Sequence, residues 1–203
     1  MRVISGSARG CRLLVPRGMR VRPTADRVRE ALFSIIYSRE GSLAGKRVLD
    51  LFAGVGSLGI EALSRGASLA VFVDSHRESV EIISRNIELT GFVGKGRVLT
   101  RDAVAALREL EQQGERFDLV FLDPPYRMGL TVKILEALAG SRLLTDDALV
   151  VAEFASGEEL AEPFGQLREC DRRRYGDTTI ALYTFPEFSC PDPSPSIPVL
   201  SIP

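Results

Sequence analysis

The sequence predicts an α/β fold built on a mostly parallel, seven-stranded sheet, and three observations carry that expectation. From Arg47 onward, short apolar runs alternate with amphipathic segments of helical period, the pattern of parallel strands covered on both faces. A glycine-rich turn, Gly54-x-Gly56-x-x-Gly59, joins the first run to the helix that follows it. The tetrapeptide Asp123-Pro124-Pro125-Tyr126 directly follows the fourth run, where such a sheet opens toward its ligands.

In residues 1–16, Val3-Ile4 and Leu13-Leu14-Val15 flank Gly6 and Gly10, which suggests a hairpin. Arg17 to Pro23 reads as a basic loop. A helix then starts with Thr24 as its N-cap and Asp26 in its first turn, and Val28, Ala31, Leu32, Ile35 and Ile36 recur at helical spacing. Strands follow at Val48 to Phe52, Ala70 to Val73, Arg97 to Thr100, Phe117 to Leu122 and Ala148 to Phe154. The helices between them span Leu58 to Arg65, Ser79 to Leu89, Val104 to Gln112 and Thr131 to Ala139. Leu167 to Arg174 and Thr178 to Phe185, broken at Gly176-Asp177, read as a closing antiparallel hairpin. The last 18 residues hold six prolines and four serines, too few packable side chains for an ordered element, and are expected to be a disordered tail.

Composition bounds the answer. An apolar fraction of 45% and a charged fraction of 26% are those of a water-soluble domain. No window holds the roughly 18 uninterrupted apolar residues of a membrane span, and no signal-type apolar segment follows the N-terminus, so a cytoplasmic location is expected. Cys11, Cys170 and Cys190 are far apart, which suggests neither a disulfide framework nor a zinc site. The net charge of −1 conceals a division. Residues 1–47 carry 11 basic and 3 acidic side chains, a balance of +8, and the remainder stands at −9. The basic segment is either a solvated face or a contact surface for phosphates.

The glycine turn literally matches a dinucleotide fingerprint, in which a pyrophosphate sits on the helix N-terminus. Here Asp50 precedes the glycines. A carboxylate at that place opposes a pyrophosphate and attracts a cationic or amine-bearing ligand, unless it serves only to brace the loop. S-adenosylmethionine, with a sulfonium, an α-amine and no phosphate, fits the first case. Asp74, ending the second strand, can accept ribose hydroxyls, and Asp102 can either accept an adenine amine or cap the helix that follows. The candidate cofactor residues are Asp50, Phe52, Ala53, Gly54, Gly56, Gly59, Asp74, Ser75, Asp102 and Ala103. No metal is expected. The single histidine, His76, begins the helix after the second strand and receives no role.

Asp123, Pro124, Pro125 and Tyr126 are the candidate catalytic residues. The prolines lack N–H donors and have a fixed φ, so they form a stiff loop with exposed carbonyls. A carboxylate, a carbonyl and an aromatic face suit a planar base bearing an exocyclic amine. The amine's two N–H groups would donate to Asp123 and the Pro124 carbonyl, which favours a tetrahedral, nucleophilic nitrogen, while Tyr126 stacks on the ring. An ordinary carboxylate pKa disfavours early abstraction by Asp123, so the proton is expected to leave during or after transfer, with Asp123 either taking it or only orienting the amine. As the bland alternative, Asp-Pro-Pro-Tyr is simply a rigid turn.

These residues resemble a known family, the small, single-domain bacterial 16S ribosomal RNA guanine-N2 methyltransferases. The resemblance covers about residues 1–185 and rests on the turn from Asp50 through Ala67, on Gly6 and Arg9-Gly10, and on Arg22-Pro23-Thr24-Ala25-Asp26-Arg27-Val28-Arg29-Glu30-Ala31-Leu32-Phe33. Asp-Pro-Pro-Tyr is shared more widely, by enzymes that methylate amines in DNA, RNA and protein. The resemblance implies a Rossmann-like class I methyltransferase using S-adenosylmethionine and releasing S-adenosylhomocysteine. It further implies a monomer acting on a guanine of 16S rRNA, at the guanine-966-type site, in an assembled or assembling 30S subunit. Arg9, Arg22, Thr24, Arg27 and Arg29 would then meet RNA, with Thr24 as cap and Arg29 as surface charge the alternatives. The implied organisation is a basic hairpin and helix over 1–46, a catalytic domain over 47–185 and a tail over 186–203. Asp74 departs from the glutamate common in the family, and the tail lies outside the family core.

Overall fold

The computed structural model describes residues 1–16, 23–125, 129–158, 160 and 163–186. Helix α1 (Pro23–Glu40) precedes the alternating part. There follow β1 (Arg47–Leu51), α2 (Ser57–Ser64), β2 (Leu69–Asp74), α3 (Arg77–Leu89), β3 (Gly96–Thr100), α4 (Ala103–Gln112), β4 (Phe117–Leu122), α5 (Leu130–Ala139), β5 (Leu144–Ala155), β6 (Arg168–Tyr175) and β7 (Thr178–Thr184). The seven strands form one sheet in the order β3-β2-β1-β4-β5-β7-β6, parallel from β3 to β5, with β7 antiparallel to both β5 and β6. The expected α/β class and mostly parallel seven-stranded sheet are thus found.

The chain winds from β1 outward to β3, then returns to place β4 on the other side of β1. This reversal opens a crevice beyond the carboxyl ends of β1 and β4, the place where such sheets hold ligands. Two apolar layers secure the strands. On one face, Ala106, Leu107 and Leu110 of α4 and Ile134, Leu135 and Leu138 of α5 pack on Leu49, Leu51, Val120 and Leu122. On the other, Leu32, Phe33 and Ile36 of α1, Ile60 and Leu63 of α2 and Ile83 and Ile87 of α3 cover Val48, Phe72, Leu119 and Phe121. Burial of each such side chain contributes about 1.5–3 kcal/mol, so the strands are buried on both faces and read as near-continuous apolar runs.

The structure differs from the sequence reading at several boundaries. Helix α1 begins at Pro23, so Thr24 lies inside its first turn rather than at the cap; proline suits the first helical position because its missing N–H has no partner there anyway. Strand β5 starts four residues early, at Leu144, because Leu144 pairs with Phe117 before a register shift. The polar stretch Thr145-Asp146-Asp147, exposed at its two aspartates, hides that start from a hydrophobicity reading.

Residues 1–16 form a narrower structure than a two-stranded hairpin. One antiparallel bridge joins Arg2 to Arg12, and Val3 N–H donates to the Cys11 carbonyl at 2.9 Å. The segment is held instead by side chains of the helices beneath it. Glu61 of α2 accepts from the amides of Ile4 (2.7 Å) and Ser5 (3.0 Å). Asn86 of α3, wholly buried, accepts from Leu14 N–H (2.7 Å) and donates to the Leu14 and Val55 carbonyls. Val3 and Leu13 join the same apolar layer as α1. Among the described residues no helix is long and apolar enough to cross a membrane.

Candidate active site

The turn after β1 is built from close approaches. Phe52 takes a left-handed φ of 61°, rare for a bulky side chain and typical of residues held in place at a site. Gly56 follows with φ 78° and leads into α2. Gly59 permits the helix to lie against β2, since a Cβ there would fall 2.3 Å from the Phe72 ring. Its amide donates to Asp50 Oδ2 at 2.9 Å, while the Gly54 amide donates to Asp74 Oδ2, also at 2.9 Å. The two carboxylates therefore brace the glycine turn from neighbouring strands.

A cavity of about 530 Å³ lies across the crevice. Phe52 borders it from the end of β1, Asp74, Ser75 and His76 from the end of β2, and Asp102 from the end of β3. Asp123, Pro124 and Pro125 after β4, with Leu130 at the start of α5, complete it. The size falls in the usual range for small-ligand sites. Its walls are apolar at Phe52, the prolines and Leu130, and acidic at three places. That set of acceptors suits hydroxyls, amines and a cation, and it disfavours a pyrophosphate.

Several sequence candidates thus meet in one place: Phe52, Asp74, Ser75, Asp102, Asp123, Pro124 and Pro125. Asp50 does not border the cavity. It is buried beneath the turn in its loop-bracing position, and burial, reinforced by the charge of Asp74, pushes its pKa up to about 7. Ala53, Gly54, Gly56, Gly59 and Ala103 likewise do not line the cavity. Asp102 serves as helix cap, its Oδ1 accepting from the amides of Val104 and Ala105, and it borders the cavity as well; the two readings weighed for it are compatible.

Asp123 has an unusual setting. Leu122 is in register with Ala152, so Asp123 and Glu153 are the next residues along two paired strands, and Asp50 lies on β1 at the far side. Burial first, then the charges of Glu153 and Asp50, hold the Asp123 carboxyl well above the usual range. The expectation of an ordinary carboxylate pKa is corrected accordingly. Adjacent strand ends crowd acids that sequence order separates by dozens of residues.

The RNA-contact expectation needs one correction. Arg29 is 4% exposed, and its guanidinium donates to the Arg2 carbonyl (2.5 Å) and to Asp26 (3.1 Å). It faces inward because its spacing places it on the buried side of α1 with Leu32, Phe33 and Ile36. Arg9 and Arg27 are exposed. Arg22, Tyr126, the side chain of Thr24 and the tail beyond Pro186 lie outside the described residues.

Two site residues escaped the sequence reading. His76 borders the cavity, its amide donating to Asp74 Oδ1 at 2.8 Å with the ring Nδ1 3.2 Å from the same oxygen. Its position two residues after an acid at a strand end was the available signal. Glu153 is recognisable only through strand pairing.

A family model described as conserved hypothetical protein 95 matches residues 1–184. The chain belongs to that family. Within it, the ribosomal RNA small subunit methyltransferase D of Escherichia coli is 37% identical over 153 residues, covering 75% of this chain and 74% of that protein. The solved structure of yhhF from Escherichia coli, provisionally described as a methyltransferase, superposes with a TM-score of 0.79 at 34% identity, over 91% of this chain and 97% of that one. The more distant SMU.776, also provisionally a methyltransferase and solved with S-adenosylhomocysteine, shares the fold at a TM-score of 0.65 and 15% identity, over 80% of this chain and 50% of that one. For the conserved hypothetical protein 95 family, the resemblance read from the glycine turn and the Arg22–Phe33 stretch is thus confirmed.

Proposed function

We propose that the protein methylates the exocyclic N2 amine of a guanine in small-subunit rRNA, at the guanine-966-type position, using S-adenosylmethionine. The observation that carries this reading is the shared cavity bordered by Asp123-Pro124-Pro125 and by Asp74 and Asp102 at the ends of neighbouring strands. The relative named for small-subunit rRNA methylation, 37% identical, supports the substrate class.

S-adenosylmethionine, when bound, supplies a methyl group on a positively charged sulfur. The residues present fit it. Asp74 offers a carboxylate for ribose hydroxyls, Asp102 an oxygen beyond the one used in capping, and Phe52 and Leu130 apolar wall for a flat ring. Asp123 and the Pro124 carbonyl accept the two N–H bonds of the target amine, which localises its lone pair on nitrogen and aims it into the cavity. The raised basicity of Asp123 also equips it to receive the proton that nitrogen loses once its fourth bond forms. The exposure of Arg9 and Arg27 supports a role for them in meeting phosphates.

The test is transfer of labelled methyl from S-adenosylmethionine to 30S subunits that lack the mark, followed by nucleoside mass spectrometry of the rRNA. The expected product is N2-methylguanosine. Another modified nucleoside, or label in duplex DNA instead of subunits, refutes the assignment.

A further inference from the structure

A second cavity, of about 570 Å³, adjoins the first. It is lined by Gly129 at the start of α5 and by Ala155, Ser156, Gly157 and Glu158 at the end of β5 and the turn beyond it. Gly129 borders this cavity and Leu130 the other, so consecutive residues separate the two spaces. The register places it near the chemistry. Asp123 stands level with Glu153, and Ala155 is two residues further along β5, roughly 7 Å at the rise of a strand.

The walls leave backbone bare and present one carboxyl group. Gly129 and Gly157 have φ values of 63° and 100°, and nothing lies within 4 Å of where their Cβ atoms would be. Ser156 is committed elsewhere, its amide donating to the Asp177 carbonyl and its hydroxyl paired with Thr179. Glu158 Oε2 is buried and has no hydrogen-bond partner among the described residues. A buried acceptor left unpaired is costly, and a ligand that donates to it removes the cost.

We propose that this second cavity receives the target guanine and that Glu158 accepts its N1–H, making Glu158 the residue that selects guanine. The inference rests on the guanine-N2 reading above. Guanine presents two neighbouring donors on one edge, N2–H2 and N1–H. With the amine held by Asp123 and the Pro124 carbonyl, the adjacent N1–H needs an acceptor of its own, and Glu158 is the carboxyl group that lines the neighbouring cavity. Adenine has an N1 lone pair beside its amine, which opposes a carboxyl oxygen. The same opposition applies to 2-aminopurine, which keeps the N2 amine of guanine but lacks the N1 hydrogen.

The test uses 30S subunits reconstituted with rRNA carrying guanine or 2-aminopurine at the methylated position, and reads kcat/KM for each. The wild-type protein should prefer guanine by about 10- to 100-fold, the range for losing one hydrogen bond to a charged group in a buried site. Glu158→Gln, whose amide can donate to the bare N1, should reduce that preference about tenfold, with S-adenosylmethionine affinity unchanged by calorimetry. Glu158→Ala should lower kcat/KM for guanine while leaving the cofactor affinity intact. A preference identical in wild type and both variants overturns the proposal while leaving the guanine-N2 reading in place. A wild-type protein that marks neither base at N2 overturns both.

Discussion

Asp50 on β1 and Gly59 on α2 are joined by a 2.9 Å hydrogen bond from the glycine amide to Oδ2, and a Cβ on Gly59 would fall 2.3 Å from the Phe72 ring. The buried Asp50 carboxyl is raised to about 7. Between about pH 4 and 7 the folded protein therefore holds a proton there that the unfolded chain has lost. Its stability should fall as pH rises through that window, with a slope of about 1.4 kcal/mol per pH unit from this group. Asp50→Asn keeps the acceptor for Gly59 and removes the titration. Urea unfolding should show the variant gaining on the wild type from pH 4.5 to pH 7.5; a constant difference would contradict the buried acid.

Asp123 titrates above the ordinary carboxylate range in the free protein, through burial and the charges of Glu153 and Asp50. If it must be ionised to orient the amine and receive its proton, methyl transfer should rise with pH along an acid limb. A bound sulfonium favours the charged carboxylate, so the limb in kcat should lie at lower pH than the limb in kcat/KM. Asp123→Asn should lose at least a hundredfold in kcat. It should also flatten the limb. An unchanged profile in that variant would assign the limb to another group.

The N-terminal segment hangs on α2. Glu61 is buried with its oxygens taken by Ile4 N–H, Ser5 N–H and Arg65 Nε, the last at 2.8 Å. Glu61→Ala should cost about 3–5 kcal/mol, since it leaves Arg65 and two amides without their acceptor. Gly6 has φ 83°, and a Cβ there would lie 1.8 Å from the Ser64 carbonyl oxygen. Gly6→Ala should therefore release residues 1–16 from the domain, detectable as faster proteolysis near the N-terminus. Equal proteolysis rates for variant and wild type would contradict the contact.

Arg27 and Arg29 differ by two residues and should behave oppositely. Arg27 is exposed, so Arg27→Ala should weaken rRNA binding and lower the salt slope by about one without altering the melting temperature. Arg29 is buried against Arg2 and Asp26, so Arg29→Ala should lower the melting temperature and leave the salt slope unchanged. Titrations at several salt concentrations, with thermal melts alongside, separate the two. A shared effect on the slope would place Arg29 at the RNA after all.

Local chemistry made much of this protein readable in one dimension. Strands buried on both faces are apolar runs, helices between them carry a period, Gly54 and Gly56 admit the left-handed backbone of a tight turn, and Pro124 and Pro125 fix their own φ wherever they occur. The sheet class, the cavity-bordering ends of β1, β2 and β4 and the family resemblance all follow from such short-range signals. What depended on the folded chain was direction and neighbourhood. Whether Asp50 faces the cavity or the Gly59 amide, whether Arg29 faces solvent or Arg2, and that Glu153 stands beside Asp123 are set by strand register and helix docking. Electrostatic energy depends on distance and burial, and acids 73 and 30 residues apart, Asp50 and Glu153 about Asp123, acquire their influence only when three strands lie side by side.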